Sequence, residues 1–356
     1  MKTPVAYFEI TNKCNLNCQT CYNRSGLNAA RHEITLTQLQ KAVKTLLPFG
    51  LRRVLLSGGE PTLHTEFNDI LDFIEETLNK NPEFSFGIVT NGSSRNPKFI
   101  ELLNKNERLT LQVSLDGSNE VENAKTRDSG SFAEAVDFIR FIDKRAHKTH
   151  LNIPFQPLLK MVISQYNIHD VEAFFRLAVS LGFVPEFSYI YKSGNASDNW
   201  EEKRLTAQQK LNILRLVNKL NSELGVEALL PLCTNTCPYA ENADAMSICV
   251  KVDGSIQPCQ SLYNDKYTFG NIFDFDLQMF KQKVDDFVKL AKERIHCDYN
   301  CRKCLLRDNC GKGCLAEAVN LFDDPLSDDG GCEFRKLQFL GFDLPQSKFF
   351  YEQTTK

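Results

Sequence analysis

No run of lysine and arginine long enough to follow a phosphate backbone occurs in this sequence, and 42 basic against 45 acidic residues leave a net charge of only -3. Nucleic acid is therefore not an expected partner. Long apolar runs are also missing. Stretches such as Leu158 to Ile163 fall far short of the roughly 20 residues that cross a bilayer, so no membrane association is expected. Met1 to Ile10 lacks the basic segment and continuous apolar segment that mark an export signal, and a cytoplasmic location is expected. Between Cys21 and Cys233 there is no cysteine.

That gap matters because the chain has thirteen cysteines, gathered at Cys14 to Cys21, Cys233 to Cys259 and Cys297 to Cys332. An odd number, no export signal and gaps of two to five residues argue for metal ligation rather than disulfides. A chain of 356 residues with 42% apolar content can bury a substantial core. The cysteine-free stretch divides it into two modules.

Up to about residue 195, short β-branched or aromatic runs alternate with longer amphipathic stretches, the pattern of repeated βα units. Strands are predicted at Val5 to Ile10, Arg53 to Ser57, Phe84 to Thr90, Thr110 to Ser114, Leu158 to Ile163 and Phe183 to Tyr191. Helices are predicted at Thr37 to Leu47, Phe67 to Leu78, Lys98 to Leu103, Phe132 to Lys144 and Asp170 to Leu181. Thr37 with Gln40 suits a capping box, and Leu181-Gly182 reads as a helix stop. Residues 206 to 225 form one more helix, expected to lead away from the first module. Beyond it cysteines replace periodicity, so metals rather than a large core are expected to hold the second module together.

In Cys14-Asn15-Leu16-Asn17-Cys18-Gln19-Thr20-Cys21-Tyr22, three thiols follow the first strand at C-x3-C-x2-C spacing. A closed zinc site needs four ligands, whereas three thiolates on a four-iron cube leave one iron open for chemistry; a zinc loop borrowing a distant fourth ligand is the alternative. The second strand ends in Ser57-Gly58-Gly59-Glu60-Pro61, where paired glycines permit close backbone approach and the acid can accept hydrogen bonds from an ammonium. A plain tight turn would look the same.

Together these motifs resemble the radical S-adenosylmethionine superfamily, marked by C-x3-C-x2-C with a following aromatic residue and a GGE-type loop. The resemblance covers about residues 4 to 195. It implies an α/β fold with a partial (β/α)6 barrel, a 4Fe-4S cluster on Cys14, Cys18 and Cys21, and cleavage of S-adenosylmethionine to a 5'-deoxyadenosyl radical. Gly58, Gly59, Glu60 and the adjoining Pro61 would meet the methionyl ammonium, and Tyr22 the adenine region. Asn91, Ser114 and Asp116, at the ends of the third and fourth strands, suit a ribose and a carboxylate, and Arg127 could clamp the cofactor carboxylate. Ordinary turn chemistry explains the first three equally well, and a salt bridge the last.

Downstream, Asp253-Gly254 is a strong hairpin signal, with Cys259 at the hairpin's end. Cys301, Cys304, Cys310 and Cys314 are spaced C-x2-C-x5-C-x3-C, with Cys332 beyond. This layout resembles the SPASM extension of the same superfamily, which implies two auxiliary 4Fe-4S clusters, three clusters in all. The family's interleaving assigns Cys233, Cys237, Cys259 and Cys314 to one, and Cys301, Cys304, Cys310 and Cys332 to the other. Cys249 competes with Cys237 as a ligand. The expected organisation is a barrel over 1–205, a linking helix over 206–232, a small cysteine-rich SPASM domain with a β-hairpin over 233–340, and a polar tail over 341–356.

The substrate is harder to read. Enzymes of this layout resemble maturases of ribosomally made peptides, sulfatase maturases, and enzymes acting on sugars or aminocyclitols. Gln260 stands where sulfatase maturases often carry an aspartate base. Post-translational cross-linking or oxidation of a peptide is the leading expectation. The small winged-helix domain that often begins such maturases does not fit in the thirteen residues before Cys14, so a separate recognition protein or direct binding at the barrel mouth is expected. Tyr189, Tyr191 and Trp200 could line that groove or simply pack the barrel. An epimerase or dehydrogenase of a small molecule is the alternative, with Cys249 or Cys297 as hydrogen donor. An external electron donor such as flavodoxin or ferredoxin is implied. A non-catalytic iron-sulfur or zinc scaffold is the contrasting class, for which the GGE loop would be accidental.

Overall fold

The computed structural model describes residues 2–27, 29, 31–143, 147–148, 154–230, 237–241, 247–296 and 298–340. Its centre is the predicted alternation: β1 (Val5–Thr11), α1 (Leu36–Leu46), β2 (Arg53–Gly58), α2 (Phe67–Lys80), β3 (Ser85–Thr90), α3 (Pro97–Lys105), β4 (Leu109–Ser114), α4 (Ser131–Arg140), β5 (Leu158–Ile163), α5 (Val171–Ser180) and β6 (Val184–Tyr189). All neighbouring strands in this series pair in parallel. Among the described residues β1 and β6 do not pair, so the barrel is partial.

Strand alternation sorts the side chains. Ala6, Phe8 and Ile10 of β1, Val54 and Leu56 of β2, and Leu159, Met161 and Ile163 of β5 are fully buried in one hydrophobic core with the helices. The opposite face is polar: Arg53 donates to Ser85 and Thr110 Oγ1, and Lys160 pairs with Glu186 at 2.8 Å. A polar lumen is a place for a ligand rather than a core.

Three expectations change. The capping box lies two residues earlier, with Thr35 Oγ1 accepting from Gln38 N and Gln38 Oε1 accepting from Thr35 N, because α1 starts at Leu36. The 206–225 segment does form a helix, α6 (Ala207–Leu224), but it turns back along the barrel and packs on α5. After it, the chain at Leu229 bonds to Pro185 and Phe187 and covers the β6 edge. The hairpin strands β7 (Ser247–Val250) and β8 (Ile256–Gln257) belong to the barrel sheet, because β7 pairs in parallel with β1. The full order is β8-β7-β1-β2-β3-β4-β5-β6. Beyond the hairpin lie α7 (Leu277–Glu293), α8 (Leu315–Phe322) and α9 (Cys332–Leu340), with α9 against α6. The predicted tail over 341–356 lies outside the described residues.

Candidate active site

The cysteine loop leaves β1 at the C-terminal end of the barrel, where folds of this kind gather their sites. Its backbone is held from both sides. Gly59 N donates to Thr11 O at 2.7 Å and Glu60 N to Lys13 O at 2.8 Å. Gly58 has φ +137°, and a Cβ there would lie 2.2 Å from Thr11 O; one on Gly59 would lie 2.2 Å from Lys13 O. The paired glycines thus let the two loops touch backbone to backbone. Opposite, Gln19 N donates to Thr126 O at 2.8 Å and Asn17 N to Asp128 Oδ2 at 2.6 Å. Asn195 donates to Cys18 O and Cys21 O, Ser193 to Tyr22 O, and the buried Lys203 Nζ to Gln19 O. Sequence reasoning missed Asp128, Ser193, Asn195 and Lys203, since each reaches the loop from far along the chain.

Cys14, Cys18 and Cys21 share this loop and feel one another's charge. Burial pushes the Cys14 thiol up to about 11 and Cys18 up to about 12, and raises Cys21 as well. Such thiols become thiolates when a metal displaces the proton. Among the described residues no three His, Cys, Asp or Glu side chains are placed to hold a single metal ion. A cube with each thiolate on its own iron does not require that convergence, and three soft sulfur donors on one loop fit it.

The remaining predicted groups serve this loop in ways the motifs did not reveal. Glu60 is 1% exposed. Its Oε1 accepts from Thr62 N, Thr62 Oγ1 and Thr90 Oγ1, and its Oε2 from Asn91 N. The carboxylate therefore ties β2 to β3 instead of standing open to an ammonium. Pro61 follows as the buried first residue of a short turn. Asn91 donates to Asn15 Oδ1 at 2.8 Å, joining β3 to the cysteine loop. Ser114 ends β4 on the lumen side. Asp116 is fully buried and accepts from Thr126, Arg127 Nε at 3.0 Å and Val162 N. Arg127 is thus in a buried ion pair rather than free to clamp, with its charge also facing Cys18 and Cys14.

Tyr22 donates to Glu9 Oε1 at 2.9 Å, inside the lumen near Ser57. Glu9 gave no sequence signal. Burial raises its carboxyl from the ordinary 4.5 to about 7, against the hydrogen bond from Tyr22. Cys249 lies opposite Tyr7 in the β7–β1 ladder and is fully buried, which raises its thiol strongly; Glu9 and Cys259 add to the rise.

Among the downstream thiols, Cys237 and Cys314 each lie within electrostatic reach of Cys259, and Cys314 also of Cys237. Cys249 lies within reach of Cys259 as well. Cys301 lies within reach of Cys310 and Cys332, the last exposed. Cys304 caps the short helix Tyr299–Lys303 beside Cys301. Cys233 and Cys297 lie outside the described residues. Tyr189 packs edge-on to Phe334 and donates to Lys210 O, so it joins barrel to helices and does not line a groove. Tyr191 is bonded to Ser261 near Cys259, and Trp200 opens a short helix.

A cavity of about 690 Å³ opens between the barrel mouth and the cysteine-rich region. Tyr22, Asn23, Lys192 and Ser193 line one side, and Tyr263, Asn264, Asn320 and Phe322 the other. Tyr263 meets Tyr22 edge-on with ring centres 5.7 Å apart, and its buried hydroxyl has no hydrogen-bond partner among the described residues. An orphaned buried donor of this kind fits an absent ligand.

Comparison with known proteins agrees with this geometry. Residues 8–178 match the family model described as "Radical SAM superfamily". Over 318 residues the chain is 27% identical to the mycofactocin maturase MftC of Mycolicibacterium smegmatis, covering 87% of this chain and 77% of that one. It is 25% identical to the subtilosin biosynthesis protein AlbA of Bacillus subtilis, over 75% of this chain and 57% of that one. The fold matches Streptococcus suis SuiB bound to S-adenosylmethionine (TM-score 0.68, 14% identity, 92% and 76% coverage). It also matches native anSMEcpe with bound AdoMet (TM-score 0.72, 19% identity, 95% and 98% coverage). The chain is an enzyme whose residues 8–178 form a domain of the Radical SAM superfamily.

Proposed function

We propose that this enzyme binds S-adenosylmethionine at the barrel mouth and abstracts a hydrogen atom from a ribosomally made peptide, leading to an oxidised or cross-linked product. The observation that carries this reading is the cavity beside Tyr22, whose amide and hydroxyl lining suits the donors and acceptors of a peptide main chain. The relatives MftC and AlbA are named for maturation and biosynthesis, and SuiB binds its precursor peptide SuiA.

Cys14, Cys18 and Cys21 would hold the cluster, which when bound supplies the electron that cleaves S-adenosylmethionine. An external donor such as flavodoxin or ferredoxin would reduce it. Glu60 and Asn91 fix the backbone of the GGE loop against the cysteine loop, and Asp116 with Arg127 fixes the far side. Cofactor contacts of Gly58, Gly59, Pro61 and Ser114 would then be made by atoms already in place. Cys233, Cys237, Cys259 and Cys314 would hold one auxiliary cluster, and Cys301, Cys304, Cys310 and Cys332 the other.

Incubation of reduced protein with S-adenosylmethionine and short peptides encoded beside its gene tests this. The expected result is 5'-deoxyadenosine together with a peptide that has lost hydrogen; conversion of no peptide, with turnover on sugars instead, would overturn it. Epimerisation is favoured by one observation: Cys249 is a buried, protonated thiol on β7, beside the lumen carboxyl of Glu9. A hydrogen-atom donor must be protonated. Deuterium from heavy water in an isomeric product would select that reading.

A further inference from the structure

Arg294 follows α7 and is fully buried. Its guanidinium donates to Pro325 O at 2.6 Å, Gly313 O at 2.9 Å, Lys312 O at 3.3 Å and Ser327 O at 2.9 Å. Every one of these acceptors is neutral. The acid nearest in effect, Asp329, is already bonded to both terminal nitrogens of Arg335 and accepts from Cys314 N. Lys312 adds a second cation only 4% exposed, its Nζ donating to Leu326 O. Asp298, 3.8 Å from it, is half open to solvent. Lys312 also has φ +64°, an uncommon backbone for a lysine.

Among the described buried residues of this region, Arg294, Lys312 and Arg335 against Asp329 leave an excess of two positive charges. Buried cations in excess of their ionised partners are costly, so an anion is called for. The charge that acts most on Arg294 is that of Cys237, followed by Asp329, Cys314 and Arg335, and the acceptor Gly313 O directly precedes Cys314 in the chain. A 4Fe-4S core with charge +2 on four thiolates carries two negative charges.

We propose that Arg294, assisted by Lys312, is the counter-charge of an auxiliary cluster on Cys237, Cys259 and Cys314, and that it raises that cluster's potential. This rests on reading those thiols as cluster ligands. Reduction makes the cluster one charge more negative, so a fixed cation beside it favours the reduced form. The substrate radical gives up one electron and one proton to become a closed-shell product. The proton would pass to solvent, and the auxiliary cluster, when bound, would be the acceptor for the electron. Arg294 is a positioning residue for that electron.

The test uses protein with Cys14, Cys18 and Cys21 changed to alanine, so that only downstream clusters report. Iron, sulfide and EPR-monitored redox titration are compared for Arg294, Arg294→Gln and Arg294→Lys. With iron retained, Arg294→Gln is expected to lower the reduced-to-oxidised ratio at fixed potential about tenfold, a shift of about 59 mV for one electron, and Arg294→Lys to restore most of it. If Arg294→Gln fails to load iron, loading with a near-native midpoint in Arg294→Lys supports the charge. Equal midpoints in all three proteins, or equal loss in both variants, would overturn the proposal. Absence of iron with Arg294 intact would instead remove the ligand reading beneath it.

Discussion

Burial keeps the Glu9 carboxyl protonated toward neutral pH, against the hydrogen bonds from Tyr22 and Asn23 that favour its charged form. Because its folded value of about 7 lies above the ordinary 4.5, its contribution to stability is full below about 4.5. It is lost as pH rises through 7. The difference amounts to about 3 kcal/mol. Glu9→Gln keeps the acceptor for Tyr22 and abolishes the titration. In urea unfolding under anaerobic conditions, wild type should therefore weaken relative to this variant between pH 5 and pH 8; parallel curves would contradict the assignment. Nothing in the sequence marks Glu9, since an acid in a strand reads as surface until the lumen is known. Glu60, Asp116 and Arg127 could be picked out as candidates from their motifs, but not their partners: Thr90, Val162 and Asn91 come from other parts of the sheet, and only packing brings them together.

Among the elements, β2 and the loop after it carry the sharpest constraint. Gly58→Ala would force a side chain into Thr11 O with φ at +137°, at a cost of about 1–3 kcal/mol. It should also displace the cysteine loop and reduce the iron bound by Cys14, Cys18 and Cys21. Gly225→Ala, at φ +64° with nothing within 4 Å of its Cβ, is the control: about 1–2 kcal/mol of stability lost, with iron unchanged. Thermal unfolding and iron quantification on the two proteins separate the effects. The six barrel strands were legible because their β-branched runs are bounded by turns, and their observed ends differ from the expected ones by at most two residues. The capping box was misplaced by two residues because Thr35 and Thr37 both precede a glutamine by three. Hydrophobic periodicity predicted α6 well but could not say where it packs.

For the whole molecule, the sheet continues across the boundary expected near residue 232. Ile248 and Val250 of β7 are fully buried beside β1, and each such side chain contributes roughly 1.5–3 kcal/mol. A chain ended at Leu230 would expose the β1 edge. It should aggregate or be cut by protease under conditions where the full protein survives, as light scattering and limited proteolysis would show; a monomeric, resistant fragment would count against this. Cysteine spacing gave the downstream groups, yet short strands such as β7 carry too little pattern to reveal which sheet they join.

The parallel ladder between β7 and β1 has a consequence for electron movement. Val5 to Phe8 are in register with Ser247 to Val250, and β1 runs directly into the loop of Cys14. A hydrogen-bonded ladder hardly stretches, so the sheet acts as a ruler between the reactive loop and the cysteine-rich region. Tunnelling falls off steeply with distance, and a ruler of backbone keeps that distance constant while the cavity beside it changes shape around different peptides. A one-residue slip of β7 would turn Cys249 from the lumen to the helix face and change the spacing, so exchanging this region between relatives should succeed only when the ladder's register is preserved.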